Sequence, residues 1–225
     1  NKLLEADEEL GIPLNSGFPD GLVTIDAAPE PVELNGLSLR VLGPSIHNLD
    51  NLKKDWTKWL QKVESQQAKF ANPVEADKAD RSVPNLSSIM FLACDGERTM
   101  LLTGDGLGAD LLDGIKQAGL LDASGRLHVD VFKLPHHGSV RNISRALFNT
   151  ITADVYVVSA NGKYDNPDLA TLIWLVEATK AQGRKIQIVA TNPTSATTQI
   201  VNEYPPAEYG YELVFLPEGE HSIVV

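Results

Sequence analysis

The 225-residue chain is 43% hydrophobic and carries a formal net charge of −11, with a sequence pI near 4.8. That content supports one large domain or two small ones with a substantial buried core, and the acidic balance excludes nonspecific attraction to nucleic-acid backbones, though a metal-focused cleft could still accept an anion. Cys94 is the single cysteine, so no internal disulfide forms, which fits a reducing, cytoplasmic setting or a fold that needs no staples, and no apolar run is long enough to make a membrane a partner.

The chain opens at Asn1 without an initiator Met, so the natural start is expected upstream. Leu3 to Leu10 fits a short amphipathic helix, ended by Gly11-Ile12-Pro13. Leu37 to Leu42 alternates and meets Gly43-Pro44-Ser45, a strand with a turn after it. Leu49, Leu52, Trp56, Trp59, Leu60 and Val63 recur at helical spacing, with both tryptophans expected in the core. Residues 64–85 are polar and aperiodic and are expected to form a long mobile loop.

Two apolar runs, Ser88 to Ala93 and Arg98 to Leu102, flank Cys94-Asp95-Gly96-Glu97, a strong hairpin signal. Both are apolar on both faces, so both sides of their sheet should be covered. A helix is expected from Leu107 to Leu121, a strand from Leu127 to Leu134, a short helix from Ile143 to Thr150 and a strand from Ala153 to Ser159. Asp168 to Lys180 is helical, with Asn166 as N-cap and Pro167 at the first helical position. Lys185 to Ala190, Tyr211 to Phe215 and His221 to Val225 complete the strands. This alternation predicts an α/β fold, a mixed sheet with helices packed on it.

The chemistry gathers at two strand ends. Leu101-Leu102-Thr103-Gly104-Asp105 stops a buried strand at a carboxylate, and Lys133-Leu134-Pro135-His136-His137-Gly138-Ser139 stops the next at a histidine pair. Open α/β sheets bind ligands at such carboxyl ends. Asp105 alone also reads as a helix N-cap, and Gly104-x-Gly106-x-x-Ala109 is a loose dinucleotide fingerprint. That fingerprint follows the second arm of a hairpin and lacks the expected acidic residue on the next strand. A lone histidine at a strand end is usually a hydrogen-bonded core residue. If strand alternation continued, only one of an adjacent pair could aim at a given site while the other supported it. A carboxylate and an imidazole at neighbouring strand ends favour a metal site.

These two motifs, in this order, resemble the metallo-β-lactamase-fold hydrolases, and most closely their DNA-uptake (competence) branch. Asn85-Leu86-Ser87-Ser88-Ile89 before the hairpin resembles that branch too. The resemblance runs from about Leu37 to Val189. It implies an αββα sandwich with two zinc ions, Asp105 bridging them and His136 as the last histidine ligand, with His137 the alternative if the register shifts by one. Ser139 and Asn166 would contact substrate, a phosphodiester or related ester, although each also fits a turn or cap.

The departures are specific. The family's His-x-His-x-Asp-His cluster is absent, because the other histidines are His47, His128 and His221. Leu42-Gly43-Pro44 stands where relatives carry a further histidine, and Asp165-Asn166-Pro167 where the competence branch has Gly-His-Pro. Catalytic zinc takes three protein ligands and a water, so the chain holds only part of a site. The expectation is a single domain over residues 1–225 lacking its N-terminal half, completed by that half or by a separate chain that is its partner. The alternative is a non-catalytic interaction or regulatory module of the same fold, associating through the face the missing half would cover.

Overall fold

A computed structural model of the chain describes residues 15, 18, 21–67, 83–217, 219, 220 and 222. Eight strands form one sheet in simple sequence order: β1 (Val32–Leu34), β2 (Leu37–Gly43), β3 (Met90–Asp95), β4 (Arg98–Leu102), β5 (Leu127–Lys133), β6 (Ile151–Val158), β7 (Ile186–Ala190) and β8 (Tyr211–Phe215). Strands β1 to β4 are antiparallel, and β4 to β8 run parallel. The helices are α1 (Ile46–Gln67), α2 (Gly108–Gln117), α3 (Arg145–Thr150), α4 (Leu169–Ala181), α5 (Ser195–Glu203) and α6 (Pro206–Tyr209). This is the α/β mixed sheet with packed helices that the alternation of patterns predicts.

The order dictates the layering. Parallel neighbours joined through a helix cross right-handedly, so four successive crossovers in one direction put their helices on the same face. The core agrees: Leu42, Leu92, Leu101 and Phe132 of the sheet pack with Leu111 and Ile115 of α2, Leu147 and Phe148 of α3, Leu172 and Leu175 of α4, and Ile200 of α5. Helix α2 lies so close to β2 that a Cβ on Gly114 would stand 2.0 Å from the Leu42 carbonyl oxygen.

On the opposite face the described residues leave an open apolar groove. Leu39, Ala93, Met100, Val131 and Val155 are register partners across β2 to β6. They line a groove of about 670 Å³ with Leu37, Phe91 and Leu102, bordered by Asp95, Asp130 and Asp154. Among the described residues the helices cover these strands on one side, and the groove lies on the other.

Several local expectations are corrected. Trp56 is 52% exposed rather than packed in the core, because its helical stripe is not laid on the sheet, and the side chain of Trp59 lies outside the described residues. Helix α1 runs on to Gln67 and Val83–Ser87 forms a 3-10 turn, so both ends of the expected loop are helical, and the rest of it, 68–82, lies outside the described residues. The expected helix over Leu3 to Leu10 lies outside them too, as does nearly all of the His221 to Val225 strand. Asp168, not Asn166, is the N-cap of α4. No helix among the described residues is long and apolar enough to cross a membrane.

Candidate metal site at the carboxyl ends of β4 and β5

Asp105 sits on a tight turn fixed by its neighbours. Thr103, fully buried, donates its hydroxyl to the Lys133 carbonyl at 2.8 Å, tying the end of β4 to that of β5. Gly104 adopts φ +50, and a Cβ there would meet Ser88 Cβ at 3.2 Å. The Asp105 amide donates to Ser88 Oγ at 3.2 Å, and the Gly106 amide to the Thr103 carbonyl at 3.0 Å. Leu107 is the N-cap of α2, so Asp105 is not a helix cap. The Gly108 amide at the start of α2 donates to the Asn142 carbonyl at 2.8 Å, so a protein group already occupies the place a nucleotide phosphate would take.

After β5 the backbone turns into a short left-handed stretch. His136 and His137 have φ of 43° and 57°, followed by Gly138 at 85°. Two successive side chains in that region cost on the order of 1–2 kcal/mol each, and such strain persists only where the surroundings impose it. Here the His136 amide donates to the Gly104 carbonyl at 3.1 Å and the Ser139 amide closes onto the His136 carbonyl at 2.9 Å. A Cβ on Gly138 would meet Pro167 Cβ at 2.7 Å. The left-handed turn replaces strand alternation as the feature that sets the two side-chain directions.

The two imidazoles have separate surroundings. His137 Nδ1 lies 2.6 Å from the Ser159 carbonyl, which only accepts, so Nδ1 carries the proton and Nε2 a lone pair. That Nε2 stands 3.6 Å from Asp105 Oδ1, with both side chains near 40% exposed (45% and 38%). His136 Nδ1 lies 2.8 Å from Asn142 Oδ1. The Asn142 amide nitrogen donates to the carbonyls of Asp105 (3.1 Å) and Gly106 (3.3 Å), which fixes its oxygen toward His136. Asn85 Nδ2 approaches the same ring nitrogen at 3.3 Å, too long to outcompete that contact. The histidine brought to Asp105 is therefore His137, the alternative in the sequence reading, while His136 is tied through Asn142 to the backbone of the Asp105 turn.

The separation of 3.6 Å between Nε2 and Oδ1 exceeds a hydrogen bond. It is close to the roughly 3.4 Å between two ligands of a tetrahedral zinc with bonds of about 2.1 Å. Beside the pair, Lys133 is largely buried and donates its ammonium to the Leu134 carbonyl at 2.7 Å. Burial pushes its pKa down, and the Asp105 carboxylate works against that. Among the described residues no group of three or more His, Cys, Asp or Glu side chains could hold a metal. His128 lies near the other end of β5, 3.7 Å from Asp154, and His47 contacts Asn51 on α1.

Ser139 is 6% exposed and its hydroxyl accepts from the Arg141 amide at 3.4 Å, which makes it a turn residue in this structure. Asn166 lines a cavity of about 440 Å³ that opens beside His137. Reading the sequence missed Asn142, Lys133 and Ser88 as parts of the site. Ser88 at least falls within the Asn85 to Ile89 segment, whereas Asn142 carries no signal beyond being a polar residue in a short connection.

No protein-family model matches the sequence, and no curated protein or solved structure matches it either.

Proposed function

We propose that the chain is the C-terminal portion of a metal-dependent hydrolase of the metallo-β-lactamase fold, acting on a phosphodiester or related ester. The observation that carries this reading is the Asp105–His137 pair: an anionic oxygen and a bare imidazole nitrogen 3.6 Å apart, with the other ring nitrogen held by a backbone carbonyl. Metal-binding histidines are oriented in this way, by a partner on the second nitrogen. The pair fits a divalent cation, zinc by ligand type, in spacing and tautomer but supplies two of the three protein ligands a catalytic zinc takes. The rest would come from outside the described residues, from an N-terminal half or a separate chain. A bound ion of this kind supplies an acidified water and polarises the scissile oxygen. Asp105 and His137 would hold that ion, the Ser159 carbonyl and the Asn142 bridge would fix their positions, and Lys133 would add its charge beside it. Hydrolysis of bis(p-nitrophenyl) phosphate by the intact protein with added Zn²⁺, lost in His137→Ala, is the expected result. Equal rates in both proteins would overturn the assignment.

A second reading rests on a different observation, the apolar face opposite the helices. The row from Leu39 to Val155, with Met100 at 37% exposed, is the sort of surface that marks an interaction site. In that reading the chain is a non-catalytic module that associates through this face.

A further inference from the structure

The cavity beside His137 lies between the loops that follow β6 and β7 and encloses about 440 Å³. That is the size of a small-molecule site rather than of a groove for a polymer. Its lining contains no carboxylate, in a chain whose net charge is −11. Its one charged side chain among the described residues is Lys163, which pairs with no described carboxylate and stands 5.1 Å from the ring centroid of Tyr164, itself 77% exposed.

The hydrogen-bonding groups on its walls are only partly used. Asn161 Oδ1 accepts from the Lys163 amide at 3.0 Å, and the Asn161 Nδ2 donors meet no acceptor among the described residues. The Asn166 side chain makes no hydrogen bond to the described residues, having no capping role at α4. Asn192 donates to the Ala160 carbonyl (2.9 Å) and the Thr191 hydroxyl (3.1 Å), so its carbonyl oxygen is the group left over. The walls thus present two sets of amide donors, two amide acceptors, an ammonium and an aromatic face. Asn161 and Asn192 are exposed, whereas Asn166 is half-buried, and a half-buried amide without a partner is unfavourable unless a ligand or water satisfies it.

We infer that this cavity binds a phosphorylated sugar, free or as part of a nucleotide. Lys163 would meet the phosphate, Asn161, Asn166 and Asn192 the hydroxyls, and Tyr164 the ring face. The inference rests on the proposed hydrolase only in naming the phosphoester as the group brought to Asp105 and His137. Binding in the cavity itself uses neither residue as a metal ligand.

Calorimetric titration of the intact protein in EDTA with ribose 5-phosphate, AMP, ribose and inorganic phosphate tests it. Ribose 5-phosphate and AMP are expected to bind at least tenfold more tightly than ribose or phosphate alone. Asn166→Ala and the surface variant Lys163→Met should each weaken them at least fivefold. Tighter binding of AMP would put the base on Tyr164, and equal binding would put the sugar there; both support the cavity as the site. No saturable binding of either phosphoester at millimolar concentration, or binding unchanged in both variants, overturns it. Because this titration is run in EDTA it does not depend on the metal: ribose 5-phosphate binding would leave this inference standing even if a separate Zn²⁺ titration without EDTA found no bound metal, which would remove the hydrolase. Zn²⁺ binding without phosphoester binding would do the reverse.

Discussion

His137 turns one ring nitrogen to the Ser159 carbonyl at 2.6 Å and the other to Asp105 Oδ1 at 3.6 Å. A carbonyl cannot donate, so the neutral ring must carry its proton on Nδ1. Nitrogen-15 NMR of the histidine side chains is expected to show the Nδ1–H tautomer for His137 near neutral pH. An Nε2–H tautomer would show that the ring does not present a lone pair to Asp105.

Asn142 is the residue that joins the two loops, bonding His136 on one side and the Asp105 and Gly106 carbonyls on the other while only 8% exposed. Asn142→Ala strands those groups, at a cost of about 2 kcal/mol. Urea denaturation should show that loss, and a change below about 0.5 kcal/mol would mean that the bridge carries no stability.

The strand ends were legible because apolar runs stop there at residues that apolar packing does not ask for. Which histidine faces Asp105 was not, because the left-handed backbone at His136 and His137 is set by contacts with Gly104 and Pro167 that are distant in sequence. Helix α5 escaped notice because Ser195-Ala196-Thr197-Thr198 shows little apolar periodicity; a capping box between Thr194 and Thr197 starts it. Trp56 misled through spacing alone, since a helical stripe does not say what lies opposite. Asn166 read as a cap because Pro167 follows it, yet the chain needs two more residues before α4 begins.

Gly114 is where α2 meets the edge of the antiparallel region. Gly114→Ala forces a Cβ to within 2.0 Å of the Leu42 carbonyl oxygen, so helix and strand must separate. A loss of about 3 kcal/mol is expected from such overpacking, read from the midpoint of chemical denaturation. Tolerance of alanine would contradict the packing of α2 on β2.

Lys133 gives a pH signature. Burial lowers its pKa below 10.5 in the folded protein, so the unfolded chain holds that proton more strongly. The penalty is fully present below the lowered value and is relieved as pH rises toward 10.5. Lys133→Met should therefore be more stable than the parent protein at neutral pH, with the advantage shrinking as pH climbs to 10.5. An advantage that grows with pH would contradict the burial of a charged ammonium.

The apolar face separates the two readings of function. If it is an interaction surface, the intact protein is expected to associate in sedimentation velocity, and the paired change Leu39→Lys and Met100→Lys should abolish that association. The melting temperature should shift only slightly, because Met100 is already 37% exposed and Leu39 half-buried. Association unaffected by both lysines would remove the interaction module.

The convergence of Asp105 and His137 on one cation is tested most directly by titrating the intact protein and its variants with Zn²⁺ and measuring bound metal. Asp105→Ala and His137→Ala are each expected to weaken zinc binding at least tenfold, while His136→Ala, whose Nδ1 partner is Asn142, should retain it more closely. Zinc binding unchanged in Asp105→Ala and His137→Ala would contradict the site.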